Sequence, residues 1–296
     1  MEPPSLESRQ HIPQELVDYI FGYLHEDIST LRTCSIVSHS FLFSALPHIY
    51  HQIILVHSLE VNRFWKYHPG RLYQCDKFSN LLLANPVIAR SVRTLGIYSD
   101  THGLELLCRS PSLPSILISL SNLTRIGMVN RHSVSDWMRF PENLRSALLS
   151  VFQSPALTTL HLDGVENVPD SDAQRILDRG SSSSLRHLSL KWVNVPLRPP
   201  MRQSQEKLPV LESLTLAGDK GNLILNHLML PNTFFDMRPI RKLSIQVSEA
   251  YPRLPDIENA LDELKESLEH LIFDVSTVDY RGEYVFLVSN PGLIFS

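Results

Sequence analysis

LTTLHL, residues 157–162, carries a six-residue phrase, apolar-x-x-apolar-x-apolar, that returns along the chain. The other copies are VRTLGI (92–97), LTRIGM (123–128), LRHLSL (185–190), LESLTL (211–216), IRKLSI (240–245) and LEHLIF (268–273). Their fourth positions fall at 95, 126, 160, 188, 214, 243 and 271, with gaps of 31, 34, 28, 26, 29 and 28 residues. Alternation at the fourth and sixth positions predicts a strand with one face in the core. Helical patterns fill several gaps. Asn143 to Phe152 places Leu144, Leu148 and Val151 on one face, with Pro155 beyond its end. Asp170 suits the cap of a helix from Ser171 to Leu177, and Asp256 that of a helix from Ile257 to Lys265. Strand–helix alternation predicts an α/β fold, with parallel strands and the helices on their other side. Gln52–Val56 reads as a further strand, and Phe78–Ala84 as a helix stopping before Pro86.

Ahead of the phrases lies HIPQELVDYIFGYLHEDISTLRTCSIVSHSFLFSALPHIY, residues 11–50. Pro13 suits a first helical position, and Glu15 complements the positive helix end. Leu16, Val17, Ile20, Phe21 and Leu24 form one wide apolar face. Ser29 is read as the cap of a second short helix, Ser38 as the cap of a third, and Pro47 as the end of that third helix. About forty residues rarely bury enough surface to stand alone, so this unit should lean on the rest of the chain or on a partner.

The pattern of Ile12-Pro13, Glu15-Leu16, Ile20, Leu24, Ile36-Val37 and Phe41 resembles the F-box. The match covers about forty residues of the 296, and Ile-Pro stands where many members have Leu-Pro. The resemblance implies docking on the small Skp-type adaptor of cullin–RING ubiquitin ligases. Pro13, Leu16, Ile20, Leu24, Leu31, Ile36, Val37 and Phe41 would carry that contact. Helical periodicity alone does not separate the members of this set that face a partner from those that form the unit's own core.

The phrases, about 29 residues apart on average, resemble the irregular leucine-rich repeats that follow F-boxes in many such proteins. They lack the Asn or Cys that closes the regular motif. The resemblance implies a curved solenoid whose third, fifth and seventh phrase positions point away from the core, onto a concave sheet face. Among these positions are Tyr98, Arg125, His161, Asp163, His187, Lys191, Lys242, Gln246, His270 and Asp274, the candidate contacts for a target protein. The face is mixed and mostly polar. Six strand spacings make it about 29 Å long, room for roughly nine extended residues.

Composition narrows the function. Hydrophobic content of 43% and charged content of 20% suit a soluble globular protein. A net charge of −4 does not favour non-specific nucleic-acid binding. Cys34, Cys75 and Cys108 match no metal spacing and form no disulfide framework, which fits a reducing compartment, cytoplasmic or nuclear. MEPPSLESRQ has no signal-peptide character, and no apolar run is long enough to span a bilayer. Twenty prolines against eleven glycines suit short elements joined by stiff connections. No catalytic motif is present. His25-Glu26 has Ser29 where a zinc helix needs His, and Gly218-Asp219-Lys220-Gly221 lacks phosphate-loop spacing. His48 and His51 have no Cys or carboxylate at ligand spacing. Trp65, Trp137 and Trp192 are read as core or core-edge residues.

The expected organisation is a disordered tail (1–10), an F-box-like helical unit (11–56), a connecting segment (57–90) and a repeat domain (91–296). Tyr284–Val288 is one more strand candidate, a short cap or part of a truncated repeat. The expected function is that of a ligase adaptor without catalysis or cofactor, bound to a Skp-type subunit and through it to a cullin. The alternative is an F-box/repeat scaffold working outside a ligase, and an enzyme built on the repeats ranks below both.

Overall fold

All seven phrases form strands, and the apolar columns explain their alignment. The computed structural model describes residues 12–57, 71–99, 103–130, 134–177, 183–191, 193, 208–218, 224–225, 228, 234–248 and 254–276. The strand candidate at 284–288, the tail at 1–10, Trp65, Trp192 and the Pro-rich stretch 196–200 lie outside the described residues.

Three helices open the described chain: α1 (Gln14–Tyr23), α2 (Ile28–Ser35) and α3 (His39–Ile49). Then follow β1 (Gln52–Val56), β2 (Arg71–Tyr73), α4 (Cys75–Ala84), α5 (Val87–Ser91) and β3 (Thr94–Ser99). The next set is α6 (Gly103–Cys108), α7 (Ser112–Ser119), β4 (Arg125–Asn130), β5 (Ser135–Asp136), a single 3-10 turn (Trp137–Arg139) and α8 (Glu142–Phe152). The chain continues through β6 (Thr159–Asp163), β7 (Val165–Glu166), α9 (Asp170–Leu177), β8 (His187–Lys191) and β9 (Ser213–Ala217). It reaches β10 (Lys242–Ser248), α10 (Leu254–Leu264) and β11 (His270–Ser276). The result is a mixed α/β molecule with one large parallel sheet.

The nine strands of that sheet run in the order β11-β10-β9-β8-β6-β4-β3-β1-β2. It reaches further back than the phrases, because β1 pairs with both β2 and β3 in parallel. One register row joins the fourth positions, Leu95, Ile126, Leu160, Leu188, Leu214, Leu243 and Leu271. Ile53 extends it into β1. All are buried except Leu271, which is half-buried on the edge strand. The sixth positions from Ile97 to Ile245 are buried too, and so are the first positions from Val92 to Ile240. Each fully buried Leu or Ile contributes about 1.5–3 kcal/mol by transfer. This tripled column, with Leu144, Leu148 and Phe152 of α8 and Leu113 and Leu117 of α7, makes one continuous core.

A hydrogen-bond ladder sets the spacing where the strands start. The carbonyl of His51 accepts from both Arg93 and Thr94, and that of Arg93 from Thr124 and Arg125. The pattern repeats through Thr124, Thr158, Arg186, Glu212 and Arg241. Each second phrase position from Arg93 to Arg241 thus takes two N–H groups from the next phrase, so loops of different length still deliver strands in register. Gly164, at φ 71°, turns the chain directly after β6, where its N–H donates to the Lys191 carbonyl and its carbonyl accepts from Ser135. That region of φ suits a residue without Cβ.

Several local expectations change. Asp27, not Ser29, caps α2: its carboxylate accepts from the Thr30 N–H at 3.0 Å and the Thr30 hydroxyl at 2.6 Å. Pro47 lies inside α3 and does not end it. The helix runs on because Ile49 is buried, and the Tyr50 N–H still reaches the Leu46 carbonyl at 3.0 Å. Pro13 is the residue before α1 instead of its first residue. α10 starts at Leu254, which puts Asp256 in its first turn. Ser38 caps α3 as expected, accepting from the Phe41 N–H at 3.2 Å.

Candidate functional site

Two surfaces carry the residues singled out above. The first is the outside of the three-helix unit. Its own core is small: Val17, Phe21, Leu31, Ala45 and Ile49, with Leu24, Ile28, Cys34, Phe41 and Tyr50 packed against it. The Phe21 and Phe41 rings meet edge-to-face at 5.5 Å. A polar clasp ties α1 to α3. Gln14 donates to Asp18 at 2.9 Å and to Ser44 at 2.7 Å, Ser44 donates to Asp18, and Ser40 donates to Gln14. The Ser44 hydroxyl, then the Gln14 amide, hold the Asp18 carboxyl below its ordinary value. α3 also braces the unit on the sheet domain, because Leu46 belongs to the large core and Leu42 and Tyr50 pack against it. Arg71 of β2 sits 4.7 Å over the Tyr50 ring.

With that core closed, an apolar row remains outside. Leu16 (54%), Ile20 (52%), Ile36 (84%) and Val37 (66%) are exposed, and so is Pro13. α1 therefore carries two stripes: Val17, Phe21 and Leu24 face inward, Leu16 and Ile20 outward. The expected contact set divides accordingly. Leu31 is fully buried in the unit's own core, which removes it from any contact surface. Leu24 and Phe41 are half-buried against that core. Ile12, part of the quoted pattern but not of the contact set, is exposed too, and the sequence reading missed Tyr19, Tyr23 and Phe43, all exposed and apolar in body. The i, i+4 spacing of Tyr19 and Tyr23 was their signal, and their hydroxyls meet at 2.6 Å.

The second surface is the outer face of the sheet, opposite the buried columns. Arg125, His187, Lys242 and His270 are exposed there, while His161, Asp163, Lys191, Gln246 and Asp274 are half-buried. Tyr98 departs from expectation. It is buried with Ile54 and Val56, against Leu72 and Val129, so the β1–β3 end of this face is apolar instead of polar. At its middle His161 Nε2 lies 4.0 Å from Asp163 Oδ2, and Lys191 is the register partner of Asp163. Burial, then Lys191, pushes His161 down to about 4. Burial pushes Asp163 up to about 6, against the pull of Lys191. At neutral pH the site is therefore a neutral imidazole beside a carboxylate and an ammonium.

Of the three histidines singled out on this face, His161 and His187 stand on the neighbouring strands β6 and β8, while His270 is three strands from β8 on β11, so the three do not gather. Among the described residues no three His, Cys, Asp or Glu side chains come together as a metal would require. Burial raises both thiols, Cys75 to about 11 and Cys108 further still, which makes them poor nucleophiles. A cavity of about 780 Å³ lies at the far end, between β9–β11 and α10, with Leu214, Leu243, Leu261 and Leu271 in its lining. No helix among the described residues is long and apolar enough to cross a membrane.

No protein-family model matches this chain. The search of curated proteins returns no match either.

Proposed function

We propose that the chain is a substrate-recognition adaptor of an SCF-type cullin–RING ubiquitin ligase. In this reading residues 11–50 are an F-box that docks on a Skp-type subunit, and through it on a cullin. The phrases form a leucine-rich-repeat solenoid whose outer sheet face holds a target protein. Catalysis belongs to other subunits. This chain acts by proximity, raising the effective concentration of a target lysine near the transferring enzyme. Buried thiols without a disulfide framework support work in the cytoplasm or nucleus.

One observation carries the reading: the row of Leu16, Ile20, Ile36 and Val37 stays exposed on a unit that has its own closed core and is already braced by α3. Neither folding nor docking onto the sheet uses those side chains. Large apolar side chains left exposed together on one small unit mark a protein contact. Those four are among the eight residues that the F-box resemblance assigns to the adaptor; Pro13 is exposed as well, while Leu24, Leu31 and Phe41 serve the unit's own core.

The test is the double variant Leu16→Asp with Ile20→Asp in the full chain, assayed for capture of a purified Skp-type adaptor. Charge at a desolvated anchor costs roughly 2–4 kcal/mol. Capture should be lost while the melting temperature holds, because both positions face solvent. Wild-type capture by the double variant would sink the docking surface.

A further inference from the structure

With Gln52 of β1, the third phrase positions form one unbroken register row across the sheet: Gln52, Thr94, Arg125, Thr159, His187, Ser213, Lys242 and His270. Every ionisable side chain in that row is basic. All four basic members are exposed, and none makes an ion pair among the described residues. The adjoining second positions carry Arg93, Arg186, Arg241, Glu212 and Glu269. Both carboxylates are already engaged, Glu212 by Arg186 at 2.6 Å and Glu269 by Arg241 at 3.5 Å. The two columns together hold five Lys or Arg against two Glu, a balance of +3, in a chain whose net charge is −4. The field is felt nearby: after burial, Arg125 and Arg93 are the next causes that lower the His51 pKa. The acids of the outer face, Asp163 and Asp274, lie four residues further along their strands, about 13 Å away.

We infer that this margin of the sheet binds an extended acidic segment of the target, its carboxylates seated on Arg125, His187 and Lys242. The inference rests on the reading of the sheet face as the target surface and names the chemistry it selects. Spacing agrees with charge. Arg125, His187 and Lys242 stand on every second strand, β4, β8 and β10. At about 4.8 Å per strand they are about 10 Å apart, which three residues of extended chain also cover. The hydroxyl residues Thr159 and Ser213 stand between them and offer hydrogen bonds to the intervening backbone. Acids at every third place therefore meet the row in step, while the carboxylates at the opposite margin repel a segment laid too far across.

The probe is a fluorescein-labelled ten-residue peptide with glutamate at every third place and serine between, titrated against the full chain and followed by anisotropy. Its glutamine counterpart is the control. The glutamate peptide should bind at least about tenfold more tightly than the control, and salt should weaken it as it screens the pairs. Arg125→Glu with Lys242→Glu should weaken it at least about tenfold and create a preference for the lysine counterpart. Equal binding of the glutamate and glutamine peptides, no binding of either, or an unchanged affinity in the double variant would overturn the inference. Capture of the Skp-type adaptor should be untouched by these two changes. Adaptor capture without peptide binding sinks only the acidic-segment inference. Peptide binding without adaptor capture sinks only the ligase reading.

Discussion

At the level of single residues, the pair on β6 shows how neighbours reset chemistry. His161 and Asp163 were read as outward positions on the concave sheet face. They are half-buried because of what stands beside them: His161 leans over Gly127, which has no side chain to hold it off, and Asp163 lies between Val129 and Lys191. Their own phrase contains none of that information. The consequence is a pH signature. Asp163 is raised in the fold from 3.8 to about 6, so the native state holds its proton longer, and stability is lost as pH rises across that interval. His161 is lowered from 6.5 to about 4, so the native state resists protonation, and stability is lost as pH falls across nearly the same interval. The two trends largely cancel between pH 4 and 6. Above pH 6 only the buried carboxylate still costs stability. Asp163→Asn should then stabilise at pH 8 by about 1–2 kcal/mol, with Lys191 offsetting part of the gain. At pH 3.5 it should change little. Melting curves at the two pH values decide it, and equal gains at both would remove burial as the cause.

For helices and strands, legibility followed the length of the pattern. Six of the phrases owe their strands to three buried apolar columns, and a period that recurs seven times is hard to mistake. α8 was readable because one apolar face repeats over two turns, and α9 from its leading acid, although Asp170 is the first residue of that helix and not its cap. α5 and α6 are five and six residues long, too short for a period to show. α7 buries Leu113, Ile116 and Leu117 at helical spacing, but Pro114 within its eight residues and the exposed Ile118 blur that face in the sequence. In α1 the difficulty was opposite. Leu16, Val17, Ile20, Phe21 and Leu24 read as one wide stripe, and only the packing of α3 divides it into a core half and an exposed half. The columns and the outer face should therefore respond differently to truncation. Leu188→Ala in β8 removes a buried column residue and should cost about 2–5 kcal/mol. Thr215→Ala on the outer face of β9 should stay within about 0.5 kcal/mol. Chemical denaturation of both variants tests this, and similar losses would mean that the outer face is also core.

Across the whole molecule, the parallel α/β sheet with helices on one side was legible, because strand–helix alternation leaves few other arrangements. Its start was not. β1 sits between β2 and β3, an order that no periodicity announces, and it joins the three-helix unit to the sheet through His51, whose carbonyl begins the hydrogen-bond ladder. This junction gives the functional proposal its geometry: α3 shares its residues between the small core and the large one, so the exposed row and the basic margin are held in a defined relation by one packed body. Two candidate binding surfaces on one frame suit the proposed role of bringing two other proteins together. The most direct measurement is a titration of the full chain with a purified Skp-type adaptor, read by calorimetry or interferometry. Saturable one-to-one binding by the wild-type chain, lost on Leu16→Asp with Ile20→Asp, is the expected result. No binding by the folded wild-type chain would leave the apolar row without its partner and contradict the adaptor function.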